Sequence, residues 1–373
     1  MAKISLTGIK PTGVPHLGNY LGSIQPALEL AKSYLSVYFI ADWHALTTIK
    51  DGKELRPLIH QLAATWLACG LDPEKTVFFQ QSRVPELGEL NWYLACFTAK
   101  GVLNRAHAYK ALVSENLRKM NDRLDENFFE HAEKQSQLSE EEIVKQNEEA
   151  LPFDVSNSKF ATKINLDEGI NAGVYTYPVL MAADILLFGS DVVPVGQDQK
   201  QHVEIARDIA ESVNRQIGSV FKVPEPLIGA EVKTIPGLDG RKMSKSYDNV
   251  IPLFAPAAEV RKAVMRIVTD SKRPEDPKDP ETCNVFNIFR HFADADRVEE
   301  RRKQYLAGGV AYGEMKEELA AALETRFGAA RRVYEDRLKD PGALDRLLDE
   351  GAVKARKLAG DRMDKIRKKL GLR

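Results

Sequence analysis

The sequence predicts an α/β protein in which a parallel-sheet domain is interrupted by a helical insertion and followed by an all-helical C-terminal domain. Over residues 1–103, short β-branched or aromatic runs alternate with longer helical patterns, which is typical of βαβ units around a buried parallel sheet. The alternation gives way to polar helical sequence over residues 104–171 and resumes over 172–251. From residue 252 to 373, apolar residues recur only at the spacing of helices.

Each element is predicted from its own local pattern. Strands are expected where short β-branched or aromatic runs lie between turn signals, and helices where apolar residues recur three and four positions apart. The predicted strands are 3–9, 36–41, 76–80 and 191–195. The predicted helices lie near 19–33, 52–69, 85–99, 115–132, 138–149, 177–188, 199–217, 257–268, 315–336, 344–357 and 362–369.

The composition is that of a water-soluble globular protein. The chain has 373 residues, of which 43% are hydrophobic and 29% charged, and this mixture excludes disorder, collagen and a membrane channel. Because no run of about 18 apolar residues occurs, we expect no membrane span or signal peptide and a cytoplasmic location. Cys69, Cys96 and Cys283 are widely spaced, so we expect reduced thiols and no zinc site.

A glycine-rich turn follows the first predicted strand. Gly8, Gly13 and Gly18 allow a ligand to approach the backbone closely, and the helix that begins there offers unpaired N–H groups to an anion. His16 can donate to a phosphate oxygen, and Asn19 can bind a phosphate or a ribose. The turn is therefore a candidate phosphate site, although such a turn also occurs without any ligand.

A second candidate is the lysine loop, which we define as residues 236–249. Lys242 and Lys245 lie three positions apart in it, among small hydroxyl residues and after two glycines. This pattern suits a mobile loop that closes on a polyphosphate and neutralises the charge that develops during phosphoryl-type transfer. By charge alone, an ordinary basic loop looks the same.

The two segments together resemble the signature motifs of class I aminoacyl-tRNA synthetases, "HIGH" at Pro15–Asn19 and "KMSKS" at Lys242–Ser246. Between them, Tyr177–Leu186 and Val193–His202 are similar to the amino-acid-binding helix and the following loop of the bacterial tryptophanyl enzymes. The resemblance extends from Thr7 into the helical tail and fails mainly in the insertion. It implies a Rossmann-like catalytic domain in two halves, an insertion that serves the dimer interface and the tRNA acceptor stem, and a helical anticodon-binding domain.

The resemblance also implies the reaction and its residues. L-Tryptophan and ATP would give tryptophanyl-adenylate and pyrophosphate, and tryptophan would then pass to the 3′-terminal adenosine of tRNA(Trp). The implied catalytic residues are His16, Asn19, Lys242 and Lys245. Those implied for ATP are Lys10, Pro11, Thr12, Gly18, Asn19, Gly196, Gln197, Asp198, Val232, Lys242, Met243, Ser244, Lys245 and Ser246. Those implied for tryptophan are Gly8, His44, Tyr177, Met181, Asp184, Val193, Val195 and Gln199. Mg²⁺ would enter bound to ATP, with no protein metal site, and the protein would be a homodimer.

The choice between tryptophan and tyrosine depends on hydrogen bonding in the pocket. An indole N–H only donates, so one carboxylate, Asp184, in an otherwise apolar pocket satisfies it. Phenylalanine is rejected because it leaves that carboxylate unpaired. Tyrosyl enzymes generally place a tyrosine on the first strand where this chain has Leu6. A tyrosyl enzyme remains the nearest alternative, followed by an adenylate-forming small-molecule ligase and a non-catalytic RNA-binding paralogue.

This chain departs from the family pattern at two positions, and its charges are distributed unevenly. Lys10 stands where the family has glutamine, and Leu6 where it has phenylalanine; Lys10 would add a positive charge near the α-phosphate. Residues 111–152 carry eleven acids and five bases, whereas residues 351–373 carry nine bases and two acids. The basic tail suits contact with tRNA phosphates, and the acidic insertion argues against phosphate binding along its whole length.

Overall fold

The structure is a computed structural model, and it describes residues 3–107, 109–119, 167–195, 200–228 and 235–372. Contacts divide the chain into two units: the first consists of Met1–Thr98 and Val179–Arg373, and the second of Ala99–Pro178. The domain boundaries predicted from the sequence (1–103, 104–171, 172–251 and 252–373) divide the chain at other residues than these two units do, and they stay a prediction.

A five-stranded parallel sheet forms the centre of the first unit, in the order β3-β2-β1-β4-β5. Because the chain builds outward from β1 to one side and then returns to its other side, a crevice opens at the carboxyl ends of β1 and β4. The predicted parallel α/β sheet is confirmed. The strands are β1 (Ile4–Ile9), β2 (Leu35–Ile40), β3 (Val77–Gln80), β4 (Val192–Val195) and β5 (Glu225–Ile228).

Thirteen helices are named in chain order, within the described ranges. They are α1 (Leu17–Asn19), α2 (Gln25–Leu30), α3 (Asp42–Ala45), α4 (Gly52–Ala68), α5 (Pro85–Phe97), α6 (Lys100–Leu103), α7 (Ala172–Phe188), α8 (Lys200–Ile217), α9 (Ala257–Met265), α10 (Asn284–Phe289), α11 (Ala295–Ala307), α12 (Tyr312–Leu338) and α13 (Pro341–Lys369). No helix in these ranges is long and apolar enough to cross a membrane.

Helix α4 shows how local sequence and packing agree. Asp51 caps it, accepting a hydrogen bond from the backbone N–H of Lys53 at 2.8 Å, which satisfies a donor that the first turn leaves unpaired. Its apolar residues recur at helical spacing and are buried, and Trp66 stacks on Tyr38 of β2 with ring centroids 5.2 Å apart. The helix is thereby fixed on one face of the sheet.

The C-terminal helices share the hydrophobic core of the sheet. One cluster of buried side chains runs from Tyr38 and Trp66 to Phe286 in α10, Leu319 in α12 and Leu348 in α13. The helical tail predicted from the sequence is present. The break predicted between 357 and 362 was wrong, because α13 continues through Gly360. Its apolar face stays buried on both sides of that glycine, and this burial outweighs the cost of about 1 kcal/mol for a glycine inside a helix.

The described part of the second unit is held by tyrosines. The rings of Tyr109 and Tyr175 meet edge to face with centroids 5.0 Å apart. The hydroxyl of Tyr175 donates to Asn104 Oδ1 and that of Tyr109 to Asp167 Oδ1, each at 2.8 Å. Tyr175 lies in the first turns of α7, so these contacts hold the start of that helix within the unit.

Helix α13 lies directly on the edge strand β3. A side-chain carbon at Gly351 would lie 1.6 Å from the carbonyl oxygen of Phe78, so only glycine allows the helix and strand to approach this closely. On the same helix, a carbon at Gly360 would meet no atom within 4 Å. Gly351 is therefore required for close packing against the strand, whereas Gly360 affects the helix only through its low helix propensity.

We expect Gly351→Ala to lower the free energy of unfolding by about 2–4 kcal/mol, because the helix must move off the strand. Gly360→Ala is the matched control, and we expect it to raise that free energy by about 0.5–1 kcal/mol through helix propensity alone. Urea unfolding followed by circular dichroism measures both. Equal effects of the two substitutions would contradict the packing argument.

Candidate active site

The glycine-rich turn and the chain after the lysine loop are joined through their backbones. The N–H of Leu17 donates to the carbonyl of Ile251 at 3.0 Å, and the N–H of Leu253 donates to the carbonyl of Pro15 at 3.1 Å. Asn19 closes the turn, because its Oδ1 accepts from the N–H of His16 at 3.1 Å. Two segments more than 220 residues apart in the sequence are therefore fixed side by side, as the family resemblance requires.

The imidazole of His16 is buried and neutral. It is 7% exposed, and burial together with the positive charge of Lys245 lowers the pKa of His16 to about 4. A carbon at Gly18 would lie 2.9 Å from the ring, so this glycine is what allows the ring to pack against the turn. Its Nδ1 is buried and has no hydrogen-bond partner among the described residues. A neutral imidazole retains one N–H, which suits donation to a phosphate oxygen at neutral pH.

Asn249 organises the lysine loop from within. Its side chain is 2% exposed, and its Oδ1 accepts from the N–H of Ser244 at 2.7 Å. Its Nδ2 donates to Asp239 Oδ1 at 2.7 Å and to the carbonyl of Lys242 at 3.1 Å. Asn249 was not predicted from the sequence as a site residue. Its signal was the pair Asp248-Asn249, one residue after the lysine motif ends at Ser246, since both residue types favour tight turns. Asp248 has a left-handed φ of 48°.

Lys245 lies beside the glycine-rich turn. Gly13 has a φ of 129°, and a carbon attached there would lie 3.0 Å from the Nζ of Lys245. The surrounding protein atoms lower the pKa of the Lys245 ammonium and that of Lys10. Both residues are nevertheless exposed to solvent, so neither lies in the core. The positive charge of Lys245 lies close to the start of a helix, and both favour the binding of an anion at this turn.

A second cluster surrounds Asp184, which lies in α7 and is 2% exposed. The Nε2 of His44 donates to its Oδ2 at 2.8 Å, since a carboxylate can only accept. The Nε2 of Gln81 donates to Oδ1 at 2.8 Å and to Oδ2 at 3.0 Å. Burial raises the pKa of Asp184, and the bonds from His44 and Gln81 oppose this increase. His44 follows β2 and Gln81 follows β3, so both donors stand at the carboxyl edge of the sheet.

Gln81 is a site residue that the sequence analysis missed. It is fully buried, and its Oε1 accepts from the N–H of Trp43 at 3.1 Å. Because a backbone N–H only donates, this bond fixes the amide so that its NH₂ group faces Asp184. Gln81 comes directly after a buried strand, and the rule that placed ligands at the carboxyl ends of strands would have identified it.

The remaining predicted residues fall into four groups. Leu6 and Val193 are buried, Met181 and Val195 are half-buried, and a carbon at Gly8 would overlap the ring of Phe39 at 2.3 Å. In the turn and loop, Pro11 and Met243 are buried, Ser244 is half-buried, and Thr12, Lys242 and Ser246 are exposed. Tyr177 belongs to the second unit. Gly196, Gln197, Asp198, Gln199 and Val232 lie outside the described residues.

Comparison with known proteins identifies similar chains over almost the whole length. A sequence profile described as tRNA synthetases class I (W and Y) matches residues 3–132 and 143–328. The tryptophan–tRNA ligase of Pseudomonas aeruginosa is 42% identical, over 99% of this chain and 73% of that protein. The tryptophan–tRNA ligase of Neisseria meningitidis is 40% identical, over 99% of this chain and 97% of that protein. A crystal structure of tryptophanyl-tRNA synthetase from Campylobacter jejuni complexed with ADP and tryptophan is similar with a TM-score of 0.78 and 39% identity, covering 99% of each chain.

Proposed function

The chain belongs to the class I tRNA synthetases of the tryptophan and tyrosine family, and from this premise we propose that it is a tryptophan–tRNA ligase. It activates L-tryptophan with ATP and transfers it to the 3′-terminal adenosine of tRNA(Trp). Relatives that are 40–42% identical over nearly the full chain are tryptophan–tRNA ligases. The observation that carries the proposal is the direct backbone pairing of the glycine-rich turn with Ile251 and Leu253, which follow the lysine loop.

The first step is attack of the tryptophan carboxylate on the α-phosphate of ATP, with pyrophosphate leaving. The carboxylate is already a nucleophile at neutral pH, so no general base is needed. The protein positions the reactants and stabilises negative charge on the phosphates. Neutral His16 supplies an N–H, Asn19 holds the turn closed, and Lys245 brings a positive charge beside it. We assign Lys242 the same charge-stabilising role from the exposed side of the loop.

Mg²⁺ belongs to the substrate in this proposal. The described ranges contain no group of three or more histidine, cysteine, aspartate or glutamate side chains placed to hold a metal ion. The residues around the turn supply N–H groups and ammonium groups, whereas Mg²⁺ prefers oxygen ligands. We therefore propose that Mg²⁺ enters on the phosphates of ATP, and we assign no step to it.

Asp184 is the proposed acceptor for the indole N–H. Its Oδ1 takes one hydrogen bond, from Gln81, so it keeps capacity for a second. Leu6, at the position of the tyrosine in tyrosyl enzymes, is 2% exposed and cannot bind a phenol hydroxyl. Tyr177 and Gln199 are proposed to hold the α-ammonium group of tryptophan, and His44, Met181, Val193, Val195 and Gly8 to complete the pocket. Pro11, Thr12, Gly18, Gly196, Gln197, Asp198, Val232, Met243, Ser244 and Ser246 are proposed for ATP.

The second step requires tRNA. We propose that the 2′-hydroxyl of the terminal adenosine attacks the carbonyl carbon of tryptophanyl-adenylate, with cleavage of the acyl–phosphate bond and release of AMP. We also propose that residues 252–373 bind the anticodon. The strongly basic end of α13 suits contact with phosphates. We further propose, from the family resemblance, a homodimer that works in the cytoplasm and an insertion over residues 104–171 that serves the dimer interface and the acceptor stem.

Pyrophosphate–ATP exchange with each standard amino acid tests the proposal, followed by charging of tRNA(Trp). We expect exchange with tryptophan alone and tRNA-dependent formation of tryptophanyl-tRNA. Exchange with tyrosine would assign the chain to the sibling activity. Exchange without any charging would favour an adenylate-forming ligase, and no exchange with any amino acid would favour a non-catalytic paralogue.

A further inference from the structure

His44 and Gln81, the two donors to Asp184, are connected to each other through the carboxylate of Asp42. Gln80 Nε2 donates to Asp42 Oδ2 at 2.7 Å, and the N–H of Ser82 donates to Asp42 Oδ1 at 3.0 Å. Asp42 begins α3, the short helix that carries His44, and Gln80 immediately precedes Gln81. The buried Asp42 carboxylate therefore fixes the loop after β2 relative to the loop after β3, and with it the spacing of His44 and Gln81.

Arg83 extends this network to the C-terminal helix. Its Nε donates to Gln80 Oε1 at 2.9 Å. Its Nη2 donates to Asp345 Oδ1 at 2.5 Å and its Nη1 to the Asp345 carbonyl at 2.6 Å, and a further ion pair of 2.6 Å joins it to Asp349. A guanidinium group only donates and a carboxylate only accepts. The Gln80 amide between them can therefore take one orientation only, with Oε1 toward Arg83 and NH₂ toward Asp42.

Asp345 is held in place on the helix side. Burial acts to raise its pKa, but hydrogen bonds from His60 and Arg83 outweigh burial and hold the pKa below its usual range. Asp345 is therefore ionised at neutral pH and remains a strong acceptor. Arg56 also donates to it, at 2.8 Å on Oδ2, but the Arg56 side chain is 71% exposed. Arg56 has no described bond to the loop of residues 80–83.

We propose that Arg83 is a positioning residue for tryptophan binding, through which α13 fixes the Asp184 pocket. The path runs from Asp345 through Arg83 and Gln80 to the Asp42 carboxylate. This carboxylate accepts from the Gln80 side chain before Gln81 and from the Ser82 N–H after it, and it stands two residues before His44. Small displacements of groups that orient a substrate carry large effects on binding and rate. This inference rests on the proposed function, because it assigns the Asp184 pocket to tryptophan.

The test compares Arg83→Met with Arg56→Met by pyrophosphate–ATP exchange. We expect Arg83→Met to raise the KM for tryptophan about tenfold, while the KM for ATP and kcat change less than about threefold, because only the tryptophan pocket loses its support. Arg56→Met removes another donor to the same carboxylate without touching the loop, and we expect a change in the KM for tryptophan of less than about twofold. Thermal unfolding of both variants accompanies the kinetics.

If Arg83→Met does not fold, a second variant, Gln80→Met, tests the same connection. Gln80→Met leaves the bonds from Arg83 to Asp345 in place and removes the Gln80 amide, which links Arg83 to Asp42 and also donates to Ser82 Oγ. We expect the same selective increase in the KM for tryptophan. Equal increases in both KM values, no change in either, or an equal effect of Arg56→Met would overturn the positioning role. Absence of tryptophan-dependent exchange in the wild type would instead overturn the proposed function, so the two failures are distinguishable.

Discussion

We expect Lys245→Ala to lower kcat for tryptophan-dependent pyrophosphate exchange by about a hundred- to a thousandfold, since this is the usual effect of removing one preorganised electrostatic group from a reacting centre. The Lys245 ammonium lies against Gly13 in the turn that is to receive the phosphates. Its positive charge stabilises the transition state most, because negative charge develops there on the departing pyrophosphate. The loss should therefore fall on kcat more than on the KM for ATP.

Two variants make this measurement specific. Lys262→Ala removes an exposed lysine of α9, and we expect kcat within about twofold of the wild type, because distant surface charges are screened. Lys245→Arg keeps the charge and changes its shape, so partial recovery of kcat would show that charge carries most of the effect. A loss confined to KM for ATP in Lys245→Ala would show that the lysine binds the ground state and the transition state equally.

Asp184→Asn is expected to lower kcat/KM for tryptophan by about a hundred- to a thousandfold, the cost of leaving buried polar groups mispaired. The amide has nearly the shape of the carboxyl group, yet it has only one oxygen to offer to three donors. Gln81 and His44 already occupy the existing oxygens. The new NH₂ group must then face one of these donors or the indole N–H itself.

Asp191→Asn is the matched control for that substitution. Asp191 stands before β4, at the amino edge of the sheet, where it accepts from the N–H of Ile4 at 2.9 Å and pairs with Lys222. We expect this substitution to lower stability slightly and to leave kcat/KM for tryptophan within about threefold. If Asp184→Asn behaved like Asp191→Asn, the indole would require a different acceptor.

The sequence predicted correctly those strands and motifs whose pattern lies within a few consecutive residues. The runs that became β1 to β4, the glycine-rich turn and the lysine motif each lie within a few consecutive residues. β5 was missed because Glu225–Ile228 is short and contains Pro226, which a strand tolerates at the edge of a sheet, where β5 lies. Helix α10 was missed because six residues hold too few turns to show a helical period.

The supporting residues of the site escaped prediction for a different reason. Gln81 gains its role from Asp184, 103 positions away, and Arg83 gains its role from Asp345, 262 positions away. No local pattern encodes such pairs. The place of Gln81 directly after a strand marks it as a candidate site residue, but its partner is not evident from the sequence, and an arginine after a strand has the pattern of an ordinary loop residue. Asn249 is intermediate, since its partners lie within ten positions, but its burial comes from the surrounding fold.

The backbone pairing of Leu17 with Ile251 also sets the distance over which the lysine motif can move. Lys245 lies six positions before Ile251, and a fully extended chain spans about 3.5 Å per residue, so its Cα stays within roughly 20 Å of that fixed point. The ammonium therefore searches a small volume, whether or not a nucleotide is bound. Its effective concentration at the phosphates is high before any closure begins, as for a ligand on a short tether.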